Sequence, residues 1–214
     1  MPKQSLKAAL SGTNPMEWIG EMHNSGVKHV LKNFSLPKGK RSNRSAIEKE
    51  VIKLTNNYAK SAGLREMKVV KLQRLSHKVL AETMLKRTDC TKKGVDAVMS
   101  IGIAIHQKQT TASLLEEIAR QEQKNIKKLK GVDLQHFQST AALVRHSVIL
   151  WASKNQGGDE WYKEIPYFKK IEDVDLDEVR EWDWIGFEAG FWEGQGPQLG
   201  IAFSAADLLY QLAS

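Results

Sequence analysis

From Leu176 to Leu212 the chain reads LDEVREWDWIGFEAGFWEGQGPQLGIAFSAADLLYQL, and within it Gly186, Gly190 and Gly194 recur at every fourth residue. On a helix that spacing makes one smooth stripe along which a second helix backbone can approach closely. Trp184, Phe187, Phe191 and Trp192 line the neighbouring surface, and Gly196-Pro197 breaks the run before another apolar segment with Ile201, Leu208 and Leu209. The pattern predicts a tightly packed hairpin of two helices. It is a statement about packing or an interface, and it names no chemistry.

The rest of the chain is consistent with an all-α fold around that hairpin. At 214 residues there is enough chain for a sizeable core, and 41% hydrophobic with 27% charged residues is the balance of a globular protein. The expected organisation is an N-terminal arm over residues 1–13, which lack periodicity, and one helical domain over 14–214 with seven to eight helices. Asn14-Pro15 has the form of a helix start. Ser45–Glu48 and Ser113–Glu116 have the form of capping boxes, and Asp133 and Asp175 are further expected caps. One long helix is predicted from about Arg65 to Arg87. Residues 98–106 alternate at Ile101, Ile103 and Ile105 like a strand, but no partner strand is evident, so a buried helix is the expectation.

Charge is unevenly spread. Residues 1–100 carry 20 Lys/Arg against 8 Asp/Glu, whereas residues 158–214 carry 4 against 13. A basic front half and an acidic back suit either mutual attraction or two different partners. Lys38, Lys40, Arg41 and Arg44 form a basic loop, joined by Lys71 and Arg74 on the outer face of the predicted third helix. Such a patch predicts non-specific nucleic-acid association by counterion release. No aromatic residue interleaves the loop, so base stacking is not part of that expectation.

Few residues have the spacing of a chemical site. His29, His77, His106, His136 and His146 are scattered, no HExxH or phosphate-binding glycine loop is present, and no metal or cofactor is expected. Glu17 and Glu21 read as a solvated helix face. Cys90 stands alone, which excludes an internal disulfide and suits a reducing cytoplasm. The first eighteen residues lack the apolar run of a signal peptide, and Glu188 and Glu193 interrupt the most apolar window. The expected compartment is therefore the cytoplasm, with no membrane span.

The weak catalytic candidates are His23, Asn24 and Asp183. His23 borders the apolar stripe of its predicted helix, where a buried, hydrogen-bonded histidine is the commoner outcome. Asp183, between two tryptophans, should be desolvated and paired, with His146 or Arg145 as expected partners.

Gly20-Glu-Met-His23-Asn24, together with Asp183-x-x-Gly186-x-x-x-Gly190, resembles a group of uncharacterised bacterial all-helical proteins. In that group a Gly-x-x-His-Asn helix comes early and a glycine-rich helical segment comes late. The resemblance implies an all-helical fold and a role for His23 and Asn24, and it brings no activity. The leading expectation is a non-enzymatic protein of bacterial type that binds another protein or a second copy of itself. Nucleic-acid association through the basic half is the alternative, and an enzyme built on His23, Asn24 and Asp183 the third.

Overall fold

The computed structural model describes residues 14–35, 43–68, 72, 75–87, 89–107, 110–152, 156, 161, 165 and 174–213. Among these there are eight helices and no strand, so the fold is all-α. The helices are α1 (Glu17–Asn33), α2 (Arg44–Ser61), α3 (His77–Leu85), α4 (Lys92–His106), α5 (Thr111–Ile126), α6 (Gly131–Leu150), α7 (Leu176–Phe191) and α8 (Gly196–Ala213). The expected arm over 1–13 and most of the aromatic segment near Trp161 lie outside the described residues. The ambiguous isoleucine stretch is part of α4. Ile101 and Ile105 are buried while Ile103 is exposed, which is helical spacing, since a strand would set all three on one side.

Residue contacts gather into two compact units. The first comprises Met1–Glu21 and Leu75–Glu160, the second Met22–Arg74 and Trp161–Ser214. In the first unit α6 packs against α4 and α5, and α3 packs against α4. Its centre holds Val98, Ile101, Ile118, Phe137, Leu143 and Trp151. In the second, α8 packs against α7 and α2, around Ile47, Val51, Trp184, Phe187, Ile201 and Leu208.

The glycine hairpin forms, with one correction. A Cβ on Gly186 would stand 2.5 Å from the Leu199 carbonyl oxygen, and one on Gly190 would stand 2.8 Å from the Gln195 carbonyl carbon and oxygen. These two glycines therefore admit the backbone of α8 against α7. Gly194 is not on that stripe. The helix ends at Phe191, and Gly194 sits in the turn at φ +67° with open space where a Cβ would be. Its value is conformational freedom rather than close approach.

Several helix starts differ from their expected positions because a better acceptor lies upstream. α2 is capped by Asn43, whose side chain accepts from the Ala46 N–H, and not by Ser45. α5 is capped by Thr110, accepting from the Ser113 N–H, and not by Ser113 itself. Asp175 caps α7 as expected, accepting from Asp177 and Glu178. Asp133 caps no residue of its own helix. Its Oδ1 accepts from the Thr91 N–H at 3.1 Å and its Oδ2 from the Thr91 hydroxyl, so it secures the start of α4.

The predicted helix from Arg65 to Arg87 is reduced to α3. Gly63, at φ +70°, ends the turn after α2, and the next backbone groups are taken by side chains. Asn56 accepts from the Met67 N–H at 2.7 Å, Gln198 donates to the Arg65 carbonyl at 3.0 Å, and Gln195 accepts from the Lys68 N–H at 3.3 Å. Backbone groups satisfied in this way have no need of helical partners. Along α3, Leu80 and Met84 are buried, whereas Val79 is exposed.

Candidate functional site

His23 lies in the middle of α1, one residue from Asn24, and Asp183 lies two turns into α7. Both belong to the second unit. The Nε2 of His23 is 2.8 Å from Oδ1 of Asp183, and its Nδ1 is 3.1 Å from Oδ1 of Asn24. The three sequence candidates are thus brought together, and the partner of Asp183 is His23 rather than His146 or Arg145. Neither the His23 nor the Asp183 side chain is exposed at all. Close approach of α1 to its surroundings rests on a glycine here too: a Cβ on Gly26 would meet Ile201 and stand 2.9 Å from the Tyr58 ring.

The electrostatics follow from this geometry. A side-chain oxygen stands at each ring nitrogen, an arrangement that favours the doubly protonated imidazolium. Burial is the largest influence on His23 and lowers its pKa. The attraction of Asp183 and the hydrogen bonds to Asp183 and Asn24 together outweigh it, so the group titrates above its ordinary 6.5. On α7, Arg180 is buried and bonded to Asp177; burial lowers its pKa, against the opposing pull of Asp177, Asp183 and Asp175.

A second polar constellation, in the first unit, was missed in the sequence. Arg145 of α6 bridges Glu17 of α1 and Glu122 of α5, and Nε2 of His146 stands 2.8 Å from Glu17 Oε2. Asn14 completes it, donating to Glu122 Oε1 and to the Gln138 carbonyl, each at 2.9 Å. Glu17 is therefore no solvated face residue. The available signal was Gly20, one turn further on: a Cβ there would stand 2.7 Å from the Ala142 carbonyl and against the His146 ring, so α6 runs close to that face.

Trp184 and Phe187 are in the core, while Phe191 and Trp192 are half-buried and stacked edge-on at 5.1 Å between ring centroids. Lys38, Lys40, Arg41, Lys71 and Arg74 lie outside the described residues. Arg44 is exposed, with its guanidinium 4.6 Å from the centroid of the Tyr210 ring. Among the described residues there is no group of three or more His, Cys, Asp or Glu side chains that could hold a metal ion, and no helix long and apolar enough to cross a membrane.

Chemically, the His23–Asp183 pair has the geometry of a base with its orienting carboxylate. A base must also reach a substrate proton, directly or through one water. Here the second nitrogen is engaged by Asn24 and the ring is sealed. The arrangement holds a charge pair inside the fold. No family model matches the chain, and neither a curated protein nor a solved structure matches it.

Proposed function

We propose that the protein acts by binding, as a non-enzymatic cytoplasmic assembly protein of bacterial type that associates with a second copy of itself. One observation carries this reading: the His23 and Asp183 side chains, which have the residue types for catalysis, are closed on one another with no exposed surface, and the half-buried Asn24 holds the other ring nitrogen. Their role is then to hold α1 against α7 in one arrangement, a use to which buried charge pairs are suited. The two segments that carry the bacterial resemblance, Gly20–Asn24 and Asp183–Gly190, supply the two halves of this tie.

The contact surface we assign to the first turn of α1. Trp18 is 53% exposed there, and among the described residues it is the most exposed large apolar side chain. Tryptophan is the residue type most often found as an energetic anchor at protein interfaces. Light-scattering mass after size exclusion tests the proposal. A dimer or larger species that persists in high salt is expected, with Trp18→Ser shifting it to monomer. A wild-type chain that stays monomeric at every concentration and salt overturns it.

A further inference from the structure

We infer that the groove between α4 and α5 is a binding site for the phosphate backbone of nucleic acid, read without regard to base sequence. The groove lies within the first unit and has a volume of about 440 Å³. Four lysines line it: Lys92 and Lys93 from the start of α4, Lys124 from the last turn of α5 and Lys128 from the turn that follows it. Asp96 is its one acidic lining residue, so the lining carries a net charge of three positive. Ser100, Gln121 and Asn125 add hydroxyl and amide groups to the floor, with Gln121 held from below by Glu117 at 2.7 Å.

Helix chemistry accounts for only half of these lysines. Lys124 and Lys128 stand at the negative end of α5, where cations are favoured. Lys92 and Lys93 occupy the first turn of α4, the positive end, which favours Asp or Glu instead, and no acidic residue is present in that turn. That end is capped by Thr91, whose hydroxyl takes the Gly94 N–H and is held by Asp133, so the lysine side chains supply the groove's positive charge. Two of the four ammonium groups are tethered: Lys92 to Asp96 at 2.9 Å, and Lys93 across the groove to the Lys128 carbonyl at 2.6 Å. Lys124 and Lys128 make no ion pair among the described residues. Exposed Lys127 lies between them in sequence and exposed Lys130 follows, adding positive charge to the same stretch of chain.

The class of ligand follows from what the lining lacks. It contains no aromatic ring on which a base would stack and no arginine fork for bidentate reading of guanine. Lysines act as point charges on phosphate oxygens, and their contribution to nucleic-acid binding is counterion release. None of the groove's residues belongs to the 38–44 stretch of the sequence or to the surface assigned to Trp18.

Fluorescence anisotropy with a labelled mixed-sequence 20-base-pair duplex, titrated with the full chain over a range of salt, is the test. The expected result is binding that weakens steeply with salt. Lys124→Glu/Lys128→Glu should lower affinity by at least roughly tenfold and make the logarithmic salt slope shallower by about two. Lys53→Glu/Lys78→Glu, which makes the same charge change at exposed positions elsewhere, serves as the control, with circular dichroism confirming that each variant is folded. A groove variant that loses no more affinity than this control overturns the inference. So does a Lys40→Glu/Arg41→Glu variant that loses more than the groove variant, or binding that is indifferent to salt. The oligomeric mass is read separately, so failure here leaves the assembly proposal standing and the reverse also holds.

Discussion

Nε2 of His23 and Oδ1 of Asp183 meet at 2.8 Å across 160 positions of sequence, and neither side chain touches solvent. Breaking such a pair from one side leaves the other charge desolvated and alone. Asp183→Ala is expected to lower the unfolding free energy by about 3–5 kcal/mol. Urea denaturation measures this, and a loss below about 1 kcal/mol would show that the pair does not hold the fold. His23→Gln with Asp183→Ala should cost less than the two single changes added together, because each removes the same interaction.

The pair also sets a pH dependence of known sign. The folded state binds the His23 proton more tightly than the unfolded chain does, since the folded pKa is raised above 6.5. Its contribution is thus fully present below about pH 6.5 and is lost as pH rises through the folded value. Unfolding free energies measured from pH 6 to pH 9 should decline for the wild type more than for His23→Gln. A wild-type curve that climbs relative to the variant would refute the assignment.

Two glycines of the C-terminal hairpin should respond differently to the same substitution. Gly186→Ala drives a methyl into the Leu199 backbone, which has nowhere to yield, and the expected cost is about 1–3 kcal/mol or more. Gly194→Ala meets open space but must hold a left-handed φ of +67°, at a cost of about 1–2 kcal/mol. Thermal unfolding of the two variants gives the order. Structural change around Leu199 should appear only in the first.

Asp133 secures a helix other than its own. Asp133→Ala removes the acceptor for both the N–H and the hydroxyl of Thr91, and the expected loss is about 1–2 kcal/mol. Hydrogen exchange should locate the effect at the first turn of α4, not of α6. Faster exchange confined to residues near Asp133 would contradict the cross-helix role.

How much of this was legible in the sequence depends on how local the cause is. Helix type, the hairpin and the Asp175 cap were readable because they depend on residues within a few positions of one another. The starts at Asn43 and Thr110 were displaced because strong acceptors stood just upstream of the expected boxes. The long helix predicted from Arg65 failed for a non-local reason: side chains of Asn56, Gln195 and Gln198 take its backbone groups. His23 and Asp183 were both singled out, yet Asp183 was matched with the wrong residues. Nothing in a linear pattern tells which of several distant cations will be brought to a buried carboxylate. The Arg145 bridge between Glu17 and Glu122 was hidden for the same reason. The groove lysines stand out in no linear pattern, because their convergence comes from the packing of α4 on α5.

The distance in sequence between His23 and Asp183 has a meaning in time as well as in space. During synthesis, at roughly 5–20 residues per second, α1 leaves the ribosome roughly ten to thirty seconds before the carboxylate that will neutralise it. Until then its central histidine lacks its buried partner and is better left in water. The second unit is accordingly a structure of the finished chain: its earliest helix cannot settle until one of its last has been made.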